Sequence, residues 1–170
     1  MKRGTDITID RLHELFAYDE NTGVLTRKIR TSNKIKAGDA AGFMRADGYW
    51  IAHVDGSQIM VHRIIWAMMT NEWPTEEIDH ENHDPSDNRW DNLREVSHLQ
   101  NMQNTKVRSD NITGFKGVSR KKNKKANPWV AQISVDGGRN HLGYFPTAEL
   151  AYAAYCRAAL ELHGEYACVA

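Results

Sequence analysis

Asp79 and His80 stand side by side in the stretch IDHENHDPSDNRWDNLREVSHLQN, rich in carboxylates, amides and imidazoles and poor in apolar residues. A carboxylate beside an imidazole can do two jobs at once. Successive strand residues point to opposite faces, so on a strand ending at His80 one side chain can hold a cation while the other faces a substrate. Asn92 follows, and nine positions later comes Asn101. Carboxylate and amide oxygens are hard donors, which suit Mg²⁺ or Mn²⁺ far better than zinc. One divalent ion and a neutral histidine are the minimum equipment for hydrolysing a phosphodiester. The histidine takes a proton from water while the ion neutralises charge developing on the phosphate and the leaving oxygen. The plainer reading is a polar loop, with Asp84, Asp87, Asn88 and Asp91 satisfying backbone groups through their side chains.

Other histidines compete for these roles. His98 lies three residues before Asn101 and shares its helix face, so it is a rival ligand. His83 forms H-x2-H with His80, a spacing that zinc uses, but no second ligand pair has a sensible spacing. His62, in VHRIIW, reads as a structural hydrogen-bonding residue beneath the site.

The elements that must position these groups follow from periodicity. Asp10 to Phe16 reads as a short amphipathic helix, and AYDENTGVLTRKI as a turn at Asn21 to Gly23 leading into a strand. Asp47-Gly48 and Asp55-Gly56 break short alternating runs and mark hairpins. VHRIIWAMMTNEWP switches to helical spacing and stops at Pro74. A strand ends at His80, and a helix is expected from about Leu93 to Asn104. After a polar linker the alternating runs GFKGVSRKK, PWVAQISVDG and RNHLGYF read as three strands, the last following the DGG turn. TAELAYAAYCRAALELHG then reads as a helix with Thr147 as N-cap, Glu149 in the first turn and Gly164 as the stop. Its expected packing stripe is Leu150, Ala151, Ala154, Tyr155, Ala158 and Leu162.

Composition excludes several classes. The chain has 170 residues and a mean hydropathy of -0.64. No apolar run is long enough for a membrane span or a signal peptide. Cys156 and Cys168 form no CxxC pair, so neither a disulfide framework nor a cysteine zinc site is expected, and a reducing intracellular compartment is. The formal net charge is +0, but it is a sum of unlike parts. Residues 1–60 carry nine basic and eight acidic side chains, residues 61–100 three and nine, and residues 101–170 ten and five. An acidic middle beside a basic end is how a metal site next to a polyanion binder would be charged.

IDHENHDPSDNRWDNLREVSHLQNMQN resembles the HNH nuclease motif in its phage and intron-homing branch, where a DH pair is followed by an NL pair and a polar helix. The resemblance implies two strands and a helix around one metal ion. It matches His80 to the general base and Asp79 to a metal ligand. It matches Asn92 to the middle residue that pins the loop and orients the base, and Asn101 to the third position. Many members carry His at that third position; the homing branch tolerates Asn. Upstream, LFAYDENTGVLTRKI, GYWIAHVDG and VHRIIWAMMTNEWP resemble the segment preceding this motif in many phage HNH proteins.

The basic end resembles the plant ethylene-response-factor DNA-binding domain, through KGV, W-x-A-x-I, LGYF, TAELAYAAY and the Ala-rich helix. In that family the sheet lies in the major groove. The resemblance puts Arg120, Lys121, Lys122, Trp129, Gln132, Ser134, Arg139 and His141 on or beside the DNA-facing strands. A one-residue slip in register swaps the faces. Lys121, Lys122, Lys124 and Lys125 are candidate phosphate contacts. Trp129 can equally belong to the core.

The expectation is therefore an α+β protein in two domains. Residues 1–105 would hold small N-terminal strands and a ββα-metal nuclease fold, 106–113 a linker, and 114–170 a three-stranded antiparallel sheet packed on one helix. The expected function is an endonuclease that uses Mg²⁺ or Mn²⁺ on double-stranded DNA, in the cytoplasm of a phage-infected host, with no membrane and no obligatory protein partner. The alternative is a non-catalytic DNA-binding regulator on a degenerate HNH fold. RNA binding is weaker, because an exposed aromatic platform is missing. If the basic end were not the anchor, Arg27, Lys28, Arg30, Lys34 and Lys36 would be the next candidates.

Overall fold

The computed structural model describes residues 7–30, 35–105, 107, 111–135 and 137–167. Lys34, Asp136 and Cys168, and positions 106 and 108–110 of the expected linker, lie outside them. The chain forms two compact units, Met1–Ser97 and His98–Ala170. Among the described residues no helix is long and apolar enough to cross a membrane.

The first unit begins with helix α1 (Ile9–Leu15), whose N-cap Thr8 side chain accepts from the Arg11 amide. A hairpin follows, β1 (Phe16–Asp19) against β2 (Val24–Arg27). Next comes a three-stranded antiparallel sheet of β3 (Phe43–Met44), β4 (Trp50–Val54) and β5 (Ser57–Met60). Its two turns fall at the Asp-Gly pairs that mark them in the sequence. Helix α2 (Val61–Thr70) buries Val61, Ile64, Ile65 and Met68, the one-sided spacing of an amphipathic helix. It ends at Asn71 in the left-handed conformation, φ 62°, three residues before the expected stop at Pro74. Asparagine is one of the few residues that takes this conformation cheaply. Strands β6 (Glu77–His80) and β7 (Leu93–Val96) pair antiparallel. The core gathers Leu12, Phe16, Val54, Ile64, Ile65, Ile78 and Leu93, with Trp50, Trp66, Trp73 and Trp90 packed against it. Each fully buried aliphatic side chain there stabilises the unit by about 1.5–3 kcal/mol.

The helix expected from Leu93 is a strand for its first four residues. Leu93 and Val96 are the buried members of LREV, and a spacing of three looks helical in the sequence. Pairing with β6 overrides that local signal, and the helix α3 (His98–Asn104) starts only after Ser97. The division between Ser97 and His98 places α3 in the second unit.

In the second unit β8 (Val118–Arg120), β9 (Trp129–Val135) and β10 (Gly138–Phe145) form an antiparallel sheet in the order β10-β9-β8. Helix α4 (Ala148–His163) starts at Thr147, whose side chain accepts from the Leu150 amide, and ends at Gly164. Ala148, Ala151, Tyr155, Ala158 and Ala159 pack with Val118, Ala131 and Ile133. The expected stripe is therefore rotated: Leu150 and Leu162 are exposed, at 51% and 49%. Small side chains let the helix lie close to the sheet, and Gly117 is part of that closeness. A Cβ there would collide with the Tyr155 ring and the Gln132 carbonyl.

Candidate functional site

Strand β6 puts Ile78 and His80 on its buried face, and Glu77 and Asp79 on the other. His80 is 4% exposed and sits in a box of rings. His62, from the first turn of α2, stands perpendicular to it with ring centres 5.1 Å apart, and Tyr49 lies 5.8 Å away. Tyr49 also meets His62 at 5.5 Å. Burial holds the His80 imidazole below its ordinary pKa, against a raising contribution from its hydrogen bond to Asn88. Burial, with the repulsion of His80 and Arg63 added, drives His62 down to about 3. Both rings are neutral near pH 7.

The hydrogen bond that orients His80 comes from Asn88. His80 Nε2 and Asn88 Oδ1 are 3.2 Å apart, and Asn88 Nδ2 donates to the Ser86 carbonyl at 3.4 Å. An amide oxygen only accepts, so with the amide in this orientation His80 Nε2 carries the proton. The lone pair of the neutral ring is then on Nδ1, the form a general base needs. Asn88 is itself buried, at 4% exposure. Its expected place among the loop formers understates it: the side chain reaches His80, and no local signal in the sequence distinguishes it from Asn82 or Asn92.

Asn92 does a different job. Its Nδ2 donates to the Asp87 carbonyl at 2.7 Å, and its Oδ1 accepts from the Asn82 amide at 3.0 Å. It therefore ties the start and the middle of the loop between β6 and β7 to one buried side chain near its end. The rest of the loop is braced locally: Arg89 clamps Asp87 through Nε and Nη2 at 2.9 and 2.7 Å, and Asp84 caps Ser86. Those contacts hold both carboxylates below their ordinary range, Asp87 at about 2. A shallow groove of about 390 Å³ opens along Glu81, Asn82, Arg89, Asp91 and Asn92.

The loop also leans on the N-terminal hairpin. The Tyr18 hydroxyl donates to the Asn88 carbonyl at 2.8 Å, and the Trp90 amide donates to Glu20 at 3.3 Å. Gly23, at φ 73°, lets the two backbones meet, since a Cβ would lie 2.6 Å from the Arg89 nitrogen.

Asp79 lies across the ladder from Arg94. Arg94 Nε and Nη2 both donate to Asp79 Oδ2, at 3.1 and 3.0 Å. Asn101, half-buried, and His98, exposed, are on α3 in the second unit. The carboxylate of Asp79 and the amide oxygen of Asn101 are the hard donors that Mg²⁺ or Mn²⁺ takes. By its chemistry each of the two side chains could give an oxygen to such an ion. Among the described residues no three His, Cys, Asp or Glu side chains could together hold a metal ion, so the His80–His83 pair finds no partners for zinc. His83 takes a left-handed turn conformation, φ 60°.

In the second unit the register settles which side chains share a sheet face. Ser119 pairs with Val130 and Val130 with Tyr144, Gln132 pairs with His141, and Ser134 pairs with Arg139. These residues lie on the face away from α4. Trp129 is on the other face, packed against the α4 core, with the Arg120 guanidinium 5.8 Å from its ring centre. Arg139 and His141 are thus together on the open face, and Arg120 and Trp129 are not with them. Lys121, Lys122, Lys124 and Lys125 are exposed in the β8–β9 connection, and Lys124 Nζ lies 4.8 Å above the Tyr144 ring.

Comparison with known proteins finds a family match within the central stretch. Residues 60–103 match the HNH endonuclease family. No curated protein matches the chain. A solved structure described as "DNA binding and cleavage by the HNH homing endonuclease I-HmuI" matches with 19% identity and a TM-score of 0.41, over 92% of this chain and 90% of that one.

Proposed function

We propose that the protein is an endonuclease that hydrolyses phosphodiester bonds in duplex DNA with the help of one divalent ion, Mg²⁺ or Mn²⁺. The observation that carries this reading is the coincidence of two things. Residues 60–103 match the HNH endonuclease family, and within them His80 is neutral, buried and fixed through Nε2 by Asn88. A general base must be neutral and present a free lone pair, and this arrangement supplies both.

In this reading His80 takes the proton of the attacking water at Nδ1. Asn88 keeps Nε2 protonated and the ring in place. Asn92 holds the loop on which Asn88 rides. Asp79 is the residue of the first unit that would hold the ion, and the HNH resemblance adds Asn101 as a further candidate ligand. When bound, the ion supplies positive charge to the phosphate and the leaving oxygen.

The second unit is proposed as the DNA anchor. The resemblance to ethylene-response-factor domains and the ten basic against five acidic residues after position 100 support this. Base contacts fall to the open sheet face, with Gln132, Ser134, Arg139 and His141. Phosphate contacts fall to Lys121, Lys122, Lys124 and Lys125. Arg120 and Trp129, which face the helix side, are assigned support of that surface.

Supercoiled plasmid incubated with the wild-type protein, with Mg²⁺ or with EDTA, tests the reading. Cleavage that needs the ion and falls by about 10²–10⁴-fold in His80→Ala, with DNA affinity retained, is expected. DNA binding with no cleavage under either divalent ion would leave the regulator reading in its place.

A further inference from the structure

Arg94 is absorbed neither by the core nor by the roles assigned so far. It sits directly opposite Asp79 on the β6–β7 ladder and gives two hydrogen bonds to one carboxylate oxygen, at 3.0 and 3.1 Å. Both side chains are shielded, at 18% and 11% exposure. Surface ion pairs contribute little because water screens them and the chains stay mobile. This one is different, since neither partner is free to swing into solvent and the strand pairing fixes their spacing. Asp79 therefore carries a resident cation.

That matters for any ion that would use the same carboxylate. A guanidinium at hydrogen-bond distance repels a divalent ion and competes for the oxygen it would take, the more so where water is partly excluded. We propose that Arg94 is a built-in competitor for the cation site at Asp79, so that it lowers metal affinity and sets the threshold at which the site loads. The inference rests on the proposed metal-dependent nuclease reading and deepens it. Two consequences follow from charge alone. The carboxylate keeps a counter-ion, so the strand pair is not destabilised by an uncompensated shielded charge. Arriving phosphate draws the guanidinium as well as the metal, so DNA and metal should bind with positive coupling: DNA relieves the competition at Asp79.

The test measures Mn²⁺ binding to the full chain by calorimetry and by electron paramagnetic resonance, without reference to cleavage. The proteins are wild type, Arg94→Gln, Arg94→Lys and Asp79→Ala. Arg94→Gln keeps an amide donor for Asp79 and removes the charge; Arg94→Lys keeps the charge. Mn²⁺ should bind Arg94→Gln about tenfold or more tighter than wild type, the scale of one modest charge interaction. Arg94→Lys should stay near wild type, and Asp79→Ala should lose the site. A short duplex should tighten Mn²⁺ binding in wild type and do so much less in Arg94→Gln. Affinity that is unchanged or weaker in Arg94→Gln, with circular dichroism showing it folded, overturns the proposal and makes Arg94 a support for Asp79. Should Arg94→Gln fail to fold, the duplex effect in wild type decides, and its absence overturns the proposal too. Plasmid cleavage separates the two readings. Metal-dependent cutting without the tightening sinks only the competitor role, whereas tightening without cutting sinks only the nuclease. No Mn²⁺ binding at Asp79 in any variant removes both.

Discussion

His62 should make the first unit acid-sensitive, by an amount the structure allows to be worked out. The ring is 7% exposed and boxed by Tyr49 and His80, and its pKa falls from the ordinary 6.5 to about 3. The folded protein thus keeps His62 neutral, while the unfolded chain takes a proton below about pH 6.5. Between those two values the unfolded state binds more protons, so stability rises with pH. The stabilising effect is complete above 6.5, is lost as the pH falls, and levels off below about 3. One pKa unit corresponds to about 1.4 kcal/mol, so the loss is roughly 2 kcal/mol at pH 5 and roughly 4 at pH 3. Against a total of about 5–15 kcal/mol for a folded domain, this is a large fraction. Burial lowers His80 as well, so its contribution has the same sign.

His62→Phe keeps a flat ring in the box and removes the proton. Urea unfolding, followed by the fluorescence of Trp50, Trp66, Trp73 and Trp90 in a Trp129→Phe background, reports on the first unit alone. Between about pH 7.5 and pH 5 the parent should lose roughly 2 kcal/mol more than the His62→Phe protein. Equal losses in the two would mean that the folded protein does not hold His62 neutral. So would an NMR titration of the wild-type His62 ring with a midpoint near 6.5, which holds even if the variant does not fold.

Asn88→Asp keeps an acceptor for His80 Nε2 but adds a negative charge that favours the imidazolium, so the acid limb of the kcat/KM profile should move to higher pH. An unmoved limb would mean Asn88 does not touch the base. Replacing Lys121, Lys122, Lys124 and Lys125 with Ala should flatten the dependence of log Kd on log salt, by about 0.9 for each phosphate that is no longer neutralised. Sequence preference should barely change, and a retained slope would move the anchor elsewhere. Arg139→Ala, on the open face, should relax preference at particular bases, while Arg120→Ala should not; selection from a random duplex pool distinguishes them.

Local signals make the hairpins and the last helix legible. Asp47-Gly48, Asp55-Gly56, Thr147 and Gly164 each act within a few residues of themselves, and the structure uses all of them as turn, cap or stop. The strand β7 is not legible, because LREV carries its buried residues three apart and only the partner strand decides between helix and strand. The same dependence hides two residues of the site. Arg94 meets Asp79 only once Leu93–Val96 is known to pair with Glu77–His80. Asn88 meets His80 across eight positions of a loop whose path no periodicity describes. Asp79 and His80 can be read because neighbours on a strand take opposite faces whatever the tertiary fold.

The loop that carries Asn88 and Asn92 also shows why the site is wider than its recognisable stretch. Residues 60–103 match a nuclease family, yet the carbonyl of Asn88 is held by Tyr18 and the amide of Trp90 by Glu20. The backbone around Asn88 and Arg89 lies against Gly23, where any side chain would collide. An asparagine fixes a histidine tautomer only as firmly as its own backbone is fixed, and here that support comes from a hairpin some seventy residues earlier in the chain. Tyr49, one wall of the ring box, is likewise upstream of the matched stretch. The β1–β2 hairpin and the turn before β4 therefore brace the loop and the ring cluster that surround His80.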